Sequence, residues 1–327
     1  MILDAETLAP VAGSPALVEE AARLTLPGAL KTELHASVVE LTTGICVDVD
    51  DAVTALAELR AAADRLARAH GWRIAAAGAH PTARSRSLPI VQQERYLRMV
   101  ETVGAAAKLQ GVNGLHVHVG AAGRDECYAA LEAVLPWLPV VLALSANSPF
   151  LDGVANGMWS NRAPALATLP RSGAPPAFRS YSGWEAWTER LVLLGVLEDY
   201  TRIWWDVRPH PRLGTLEIRV ADQPTSLRRT AFLVRLLRAL VERAPRREVD
   251  PAGRGDYAQN RWAAARSGLD AELVHPDGDR VATARDLARE LLALLGMNGE
   301  PPEPEAARQL VLGASAAAAD LVERTLD

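Results

Sequence analysis

The run Gly114-Leu115-His116-Val117-His118-Val119-Gly120 alternates apolar side chains with imidazoles between two glycines. Successive side chains on a strand point to opposite faces. His116 and His118 therefore share one face, and Leu115, Val117 and Val119 share the other. The same alternation returns in Trp204-Trp205-Asp206-Val207-Arg208-Pro209-His210-Pro211 and in Gly214-Thr215-Leu216-Glu217-Ile218-Arg219-Val220. Glu217 and Arg219 point together, with Leu216, Ile218 and Val220 behind them, and Asp206 and Arg208 pair in the same way. A sheet face carrying His, Glu and Arg suits a metal ion and an anionic phosphate. It does not suit a packed core.

The 327 residues allow one large domain or two modest ones, and a hydrophobic content of 49% is ample for a core. With 35 basic against 40 acidic residues the chain is net −5, which argues against broad nucleic-acid binding. Cys46 and Cys127 stand in no metal or redox spacing, so a reducing compartment is expected. The first residues carry acids where a leader would carry Lys or Arg. The longest apolar run, Leu135 to Ala146, is interrupted by Pro136 and Pro139 and reads as too short to span a bilayer. The expectation is a soluble cytoplasmic protein with no membrane partner.

Lys31 to Val47, rich in Val and Thr, reads as strand material. Asp50 and Asp51 cap a helix from Ala52 to about His70, closed by Gly71. A short strand follows at Arg73 to Ala79, then a helix over Pro89 to Leu109. The histidine strand comes next, followed by a helix over Arg124 to Leu135, an apolar stretch to Leu144 and a turn at Ser145 to Pro149. Ala163 to Gly183 is dense in Pro, Gly and Ser, and loops of this length are often binding loops. Helices are expected over Gly183 to Asp199, Ser226 to Arg243 and Val281 to Leu295, with a hairpin around Pro209-His210-Pro211. Asn298 to Pro304 reads as a linker to one last helix. Strands that pair locally and alternate with helices favour an α+β fold with a mostly antiparallel sheet.

Each candidate constellation has a functional and a structural reading. His116 and His118 are a metal pair, or one ligand beside one hydrogen-bonding histidine, or two satisfied histidines. Glu217 and Arg219, taken alone, are a cross-strand ion pair. Beside Arg208, His210 and Arg212 they suit a place where phosphate and metal meet, since arginine offers phosphate a planar donor fork. Glu33 and Glu40 fall on opposite faces of an unbroken strand. A bend near Ala36-Ser37 brings both carboxylates to one site. Asn147-Ser148-Pro149 positions a substrate or shapes a turn. Tyr257 to Arg266 reads as a solvated basic helix. No glycine-rich phosphate loop is present, so any ATP must be held by metal and arginines.

Six segments in order resemble the carboxylate–amine ligase family, also called glutamate–cysteine ligase type 2. They are Glu33 to Glu40, Gly114 to Gly120, Asn147 to Phe150, Leu169 to Pro176, Trp204 to Arg219, and Asn260-Arg261-Trp262. The resemblance implies a single catalytic domain over 1–327 like that of glutamine synthetase and the guanidino kinases, with a curved, mostly antiparallel sheet backed by helices. It implies ATP and Mg²⁺ or Mn²⁺, a glutamate-like carboxylate, and an amine such as cysteine. The carboxylate would attack the γ-phosphate to give an acyl phosphate, which the amine then opens. By similarity Glu33 and Glu40 hold one metal and His118 and Glu217 another. Arg208 and Arg219 act on phosphate or carboxylate, and His116, His210 and Asn147 are candidates for the nucleotide. A homodimer is compatible with the family. In one respect the chain departs from it. Family members begin with a strand bearing Gly-x-Glu-Glu-Glu-Phe, and Met1 to Leu8 resembles the stretch just after that run. The expectation is that Met1 is internal to a longer protein. The alternative is a catalytically impaired binding homologue that lost the strand.

Overall fold

The computed structural model describes residues 1–246 and 250–327. At its centre the histidine strand Val117–Gly120 pairs antiparallel with Thr215–Ile218, which pairs antiparallel with Val207–His210. The register sets Arg208 opposite Glu217 and Glu217 opposite His118, so three polar side chains form one row across three strands. The hairpin closes through a turn in which Gly214 takes φ of +63°, a conformation that glycine adopts without strain. Behind the row, Val117, Val207, Leu216 and Ile218 are buried in the main core.

That core is built on two helical segments. The first runs from Arg124–Val134 through a single 3₁₀ turn, Leu135–Trp137, into Leu138–Ser145. Pro136 and Pro139 do not interrupt it, because each sits in the first turn of its segment, where the missing N–H has no partner to lose. The stretch Arg124–Ser145 is thus long and apolar enough to cross a membrane by length and composition, contrary to the reading of an interrupted run. Because 89% of its most apolar window is buried inside the fold, it serves as a core element. The second segment is Leu227–Arg243, whose Leu233, Leu236, Leu237 and Leu240 are buried.

Outside this ladder the sheets are small. Gly28–Thr32 and Val39–Thr43 form an antiparallel pair, Ile2–Asp4 pairs with Trp72–Ile74, and Ser172–Gly173 pairs parallel with Trp204–Trp205. Helices and mostly antiparallel strands make the fold α+β, with several separate ladders among the described residues. Some boundaries differ from expectation for local reasons. The helix expected over Pro89 to Leu109 is Glu94–Val103, ended by Gly104 at φ of +59° and followed by a 3₁₀ stretch. The loop over Ala163 to Gly183 contains the short helix Arg162–Ala167. Val281–Thr283 is a strand paired with Glu272–Val274 before the helix Ala284–Leu294 begins.

The C-terminal segment holds two helices, Glu305–Leu312 and Ala314–Arg324, rather than one. They lock onto Asn147, which is fully buried. Its amide nitrogen donates to Gln223 O and Thr225 Oγ1, both at 2.9 Å, and its Oδ1 accepts from Gln309 Nε2 at 2.7 Å. Glu305 accepts from the Thr225 and Ser226 backbone N–H groups at the start of Leu227–Arg243 and from Arg324. The geometry leaves Asn147 no free polar atom for a nucleotide. Its role is to tie the C-terminal helices to the core. Asn147→Ala strands several buried partners, so the free energy of unfolding should fall by about 2 kcal/mol in urea denaturation with an unchanged m-value.

Candidate functional site

Glu217 is 2% exposed, and its two oxygens are divided between two arginines. Arg208 Nε donates to Oε2 at 2.6 Å, and Arg219 Nη1 donates to Oε1. Burial works to raise the Glu217 carboxyl. Arg219 and Arg208 outweigh it and hold the group well below the usual carboxylate range. Arg208 is itself fixed by backbone carbonyls of Thr201 and Ile203. His116 Nδ1 and His118 Nε2 each lie 3.8 Å from Glu217 Oε1. Arg219 Nη1 also reaches His116 Nδ1 at 3.3 Å, while His118 Nδ1 is 3.0 Å from Thr215 Oγ1. About a third of each imidazole side chain still meets solvent, at 38% and 32%. His210 packs edge-on against His118 and against Tyr200. Burial lowers the pKa of all three imidazoles. For His116 the Arg219 cation adds to it, while Glu217 opposes it throughout. The site is a row of neutral imidazoles and arginines around one ionised carboxylate.

Glu33 and Glu40 form a second polar spot. The turn between Gly28–Thr32 and Val39–Thr43 brings Glu40 beside Glu33, with Lys31 opposite Glu40 in the ladder. Burial pushes the Glu33 carboxyl up to about 7, and the charge of Glu40 adds to it, while Arg95 opposes it only weakly. Two adjacent carboxyl groups are a donor set whose mutual repulsion a divalent cation relieves, and Mg²⁺ commonly binds through one or two carboxylates plus phosphate and water. His118 and Glu217 are a poorer donor set, since both Glu217 oxygens already accept from arginine. Among the described residues no group of three or more His, Cys, Asp or Glu side chains converges on one point.

Several residues that sequence reasoning passed over hold the row in place. Arg162, 3% exposed, donates Nη2 to Arg219 O at 2.7 Å and Nη1 to Val220 O at 2.9 Å. Its guanidinium lies so close to Gly114 that a Cβ there would meet it at 2.2 Å, which accounts for the glycine opening the histidine strand. Asp222, fully buried, accepts from Ser148 Oγ, Ser160 Oγ and Asn147 N. Asp222 lies past the end of the strand Thr215–Ile218 and Arg162 opens the short helix Arg162–Ala167, so no alternation marks either residue in the sequence. Asp206 does not join Arg208 in the row. The chain bends there, and its carboxylate takes Tyr257 Oη at 2.7 Å and Arg261 Nε at 2.6 Å. Those contacts bury one face of the helix Gly253–Ser267, including Tyr257, Asn260 and Arg261, so Tyr257 to Arg266 is not a solvated face. Only the opposite side, with Trp262, stays in solvent.

The model of glutamate–cysteine ligase family 2 matches residues 1–323. The chain belongs to glutamate–cysteine ligase family 2. A protein of Rubrobacter xylanophilus, provisionally named glutamate–cysteine ligase 2-3, is 42% identical over 268 residues, which are 82% of this chain and 73% of that relative. A protein of Haloferax volcanii named glutamate–cysteine ligase is 35% identical over 279 residues, 84% of this chain and 78% of its own. The crystal structure of glutamate–cysteine ligase from Francisella tularensis in complex with AMP superposes with a TM-score of 0.71. It covers 100% of this chain and 86% of that one, and at 15% identity it shows a shared fold.

Glu33 generates a pH prediction. Its folded pKa, about 7, lies above the ordinary 4.5, so the proton is held more tightly in the folded state. Its contribution is complete below about 4.5 and is lost as pH rises through about 7. Denaturation midpoints of the wild type should therefore fall across this window more steeply than those of Glu40→Gln. Mg²⁺ should raise the wild-type midpoint at the upper end of the window and leave the lower end unchanged.

Proposed function

We propose that this protein is an ATP-dependent carboxylate–amine ligase of the glutamate–cysteine ligase kind. The observation that carries the reading is the Arg208–Glu217–Arg219 group, set on paired strands and lined by His116 and His118. Phosphoryl transfer asks a protein mainly for positioning and for fixed positive charge where negative charge accumulates. Arg208, in the strand Val207–His210, and Arg219, just past the end of Thr215–Ile218, supply that charge, and burial keeps water from screening it. The substrate carboxylate attacks the γ-phosphorus of ATP, ADP leaves, and an acyl phosphate forms. The amine then attacks the acyl carbon, its proton is lost and phosphate departs. Neutral His116 and His210 are suited to donate or accept hydrogen bonds around the nucleotide without adding charge.

Glu33 and Glu40 would hold a divalent cation, and that cation would supply further charge neutralisation at the phosphates. His118 and Glu217 would serve a second cation only if an arginine yields an oxygen of Glu217 to it. A protein that binds nucleotide without catalysis is the competing reading, and the small number of converging metal donors favours it.

The deciding assay incubates the chain with ATP, Mg²⁺, glutamate and cysteine and follows ADP. The ligase reading expects release that needs both the carboxylate and the amine. ATP binding with no such dependence supports the competing reading. Arg219→Ala should lower kcat/KM by about 100-fold, the usual cost of losing one preorganised charge-stabilising donor.

A further inference from the structure

The segment Leu169 to Pro176 contributes nothing to the row, yet it carries an arginine in an unusual setting. Arg171 takes φ of +56°, in the left-handed region that residues other than glycine rarely adopt. Strain of this kind persists only where the surroundings impose it, and it collects at functional sites. Here Trp204 N donates to Arg171 O at 2.9 Å, at the point where Ser172–Gly173 begins to pair with Trp204–Trp205. The Arg171 guanidinium lies over the Trp204 ring, 5.7 Å from its centre, and its Nε donates to Arg202 O at 3.2 Å. Arg179 shares the left-handed backbone, at φ of +66°, but is exposed, whereas Arg171 is half-buried.

Among the described residues nothing accepts a hydrogen bond from Arg171 Nη1 or Nη2. Burial lowers the pKa of the group, and no carboxylate counters that effect. A partly desolvated cation whose plane is fixed and whose outer nitrogens are unmatched is unfavourable until an anion completes it. Its position relative to the row is fixed as well. The turn Tyr200–Arg202 gives the Arg202 carbonyl to Arg171, while the carbonyls of Tyr200, Thr201 and Ile203 take Arg208 Nη1. One turn thus seats two guanidinium groups. Arg208 is matched by Glu217, and Arg171 beside it is not.

We propose that Arg171 binds the carboxylate of an amino-acid substrate that takes no part in the reaction, and so selects substrates that carry one. The inference rests on the ligase reading and deepens it. Arginine presents a planar fork that matches the two oxygens of a carboxylate, and Trp204 holds that plane in advance. A clamp beside Arg208 fixes the far end of a substrate whose reacting end lies in the row. In the ligase reading glutamate and cysteine each offer such a group, the α-carboxylate.

The test is calorimetry on the full chain with Mg²⁺ and a non-hydrolysable ATP analogue present. Glutamate is compared with 4-aminobutanoate, which keeps the reacting carboxylate and lacks the α one. Cysteine is compared with cysteamine, which differs in the same way. The expected result is that wild type prefers the α-carboxylate in at least one pair by about 30-fold, the usual strength of a charged hydrogen-bonded contact. The pair that shows the preference names the substrate. Arg171→Ala and Arg171→Gly should both abolish it and leave the analogue's affinity unchanged, and Arg171→Lys should restore part of it. Glycine takes the left-handed backbone without strain, so Arg171→Gly should unfold at higher urea than Arg171→Ala while losing the preference equally. Three results overturn the proposal. Wild type shows no preference in either pair or keeps it in Arg171→Ala, or the variants weaken the nucleotide instead, or the loss of binding follows the unfolding midpoint, which would make the residue structural. If turnover with ATP, glutamate and cysteine releases no ADP, the ligase reading fails, and the calorimetry, which needs no turnover, still decides whether Arg171 holds a carboxylate.

Discussion

A single buried carboxylate, Glu217, divided between Arg208 and Arg219, sets the terms for everything around it. Removing it would leave two cations facing each other in a site with little water, a loss of about 3–5 kcal/mol for a broken buried pair. Its position depends on backbone pairing, because the register that places Glu217 between Arg208 and His118 is the register that buries Leu216 and Ile218. The apolar face and the polar row are therefore one decision of the chain. A slip by one residue would lose both together.

The strand could not hold that row by pairing alone, because Arg219 and His116 lie past the ladder's ends. Arg162 fastens the exit of the strand through the carbonyls of Arg219 and Val220. Asp222 is fastened in turn by Ser148, Ser160 and Asn147, and Asn147 carries the C-terminal helices with it. A chain of buried hydrogen bonds thus connects the last helices of the protein to the strands that carry the Glu217 row. Such networks are rigid when every member is satisfied and costly when one is not.

Much of this was legible in the sequence, and what was legible was periodic. The alternation of imidazole with Val, and of Glu and Arg with Leu and Ile, gave the faces of two strands; the hairpin expected around Pro209-His210-Pro211 exists, but Pro209 and His210 lie in the strand Val207–His210 and the turn follows them. The acidic pair at Glu33 and Glu40 was legible only as a choice between faces, which the turn after Thr32 decides. Groups that act through irregular backbone were not legible. Asp206 looks like a partner for Arg208 by alternation until the bend turns it toward Arg261. Tyr257 to Arg266 looks solvated by composition until Asp206 buries one side of it. Asn147 was taken for a ligand-binding residue, because nothing local reveals that Gln309 and Glu305 come back to claim it. A network joining residues far apart in the chain leaves no period to read.

The central claim is that the arginine-flanked row transfers the γ-phosphoryl group of ATP to a carboxylate before the amine arrives. Glutamate carrying heavy oxygen in its side-chain carboxylate tests this directly, by mass spectrometry of the phosphate released during turnover with an amine. Transfer through an acyl phosphate predicts heavy oxygen in that phosphate, in step with amide formed. Phosphate that carries none, released while ATP is consumed, would mean that water and not the carboxylate attacks, and would contradict the account.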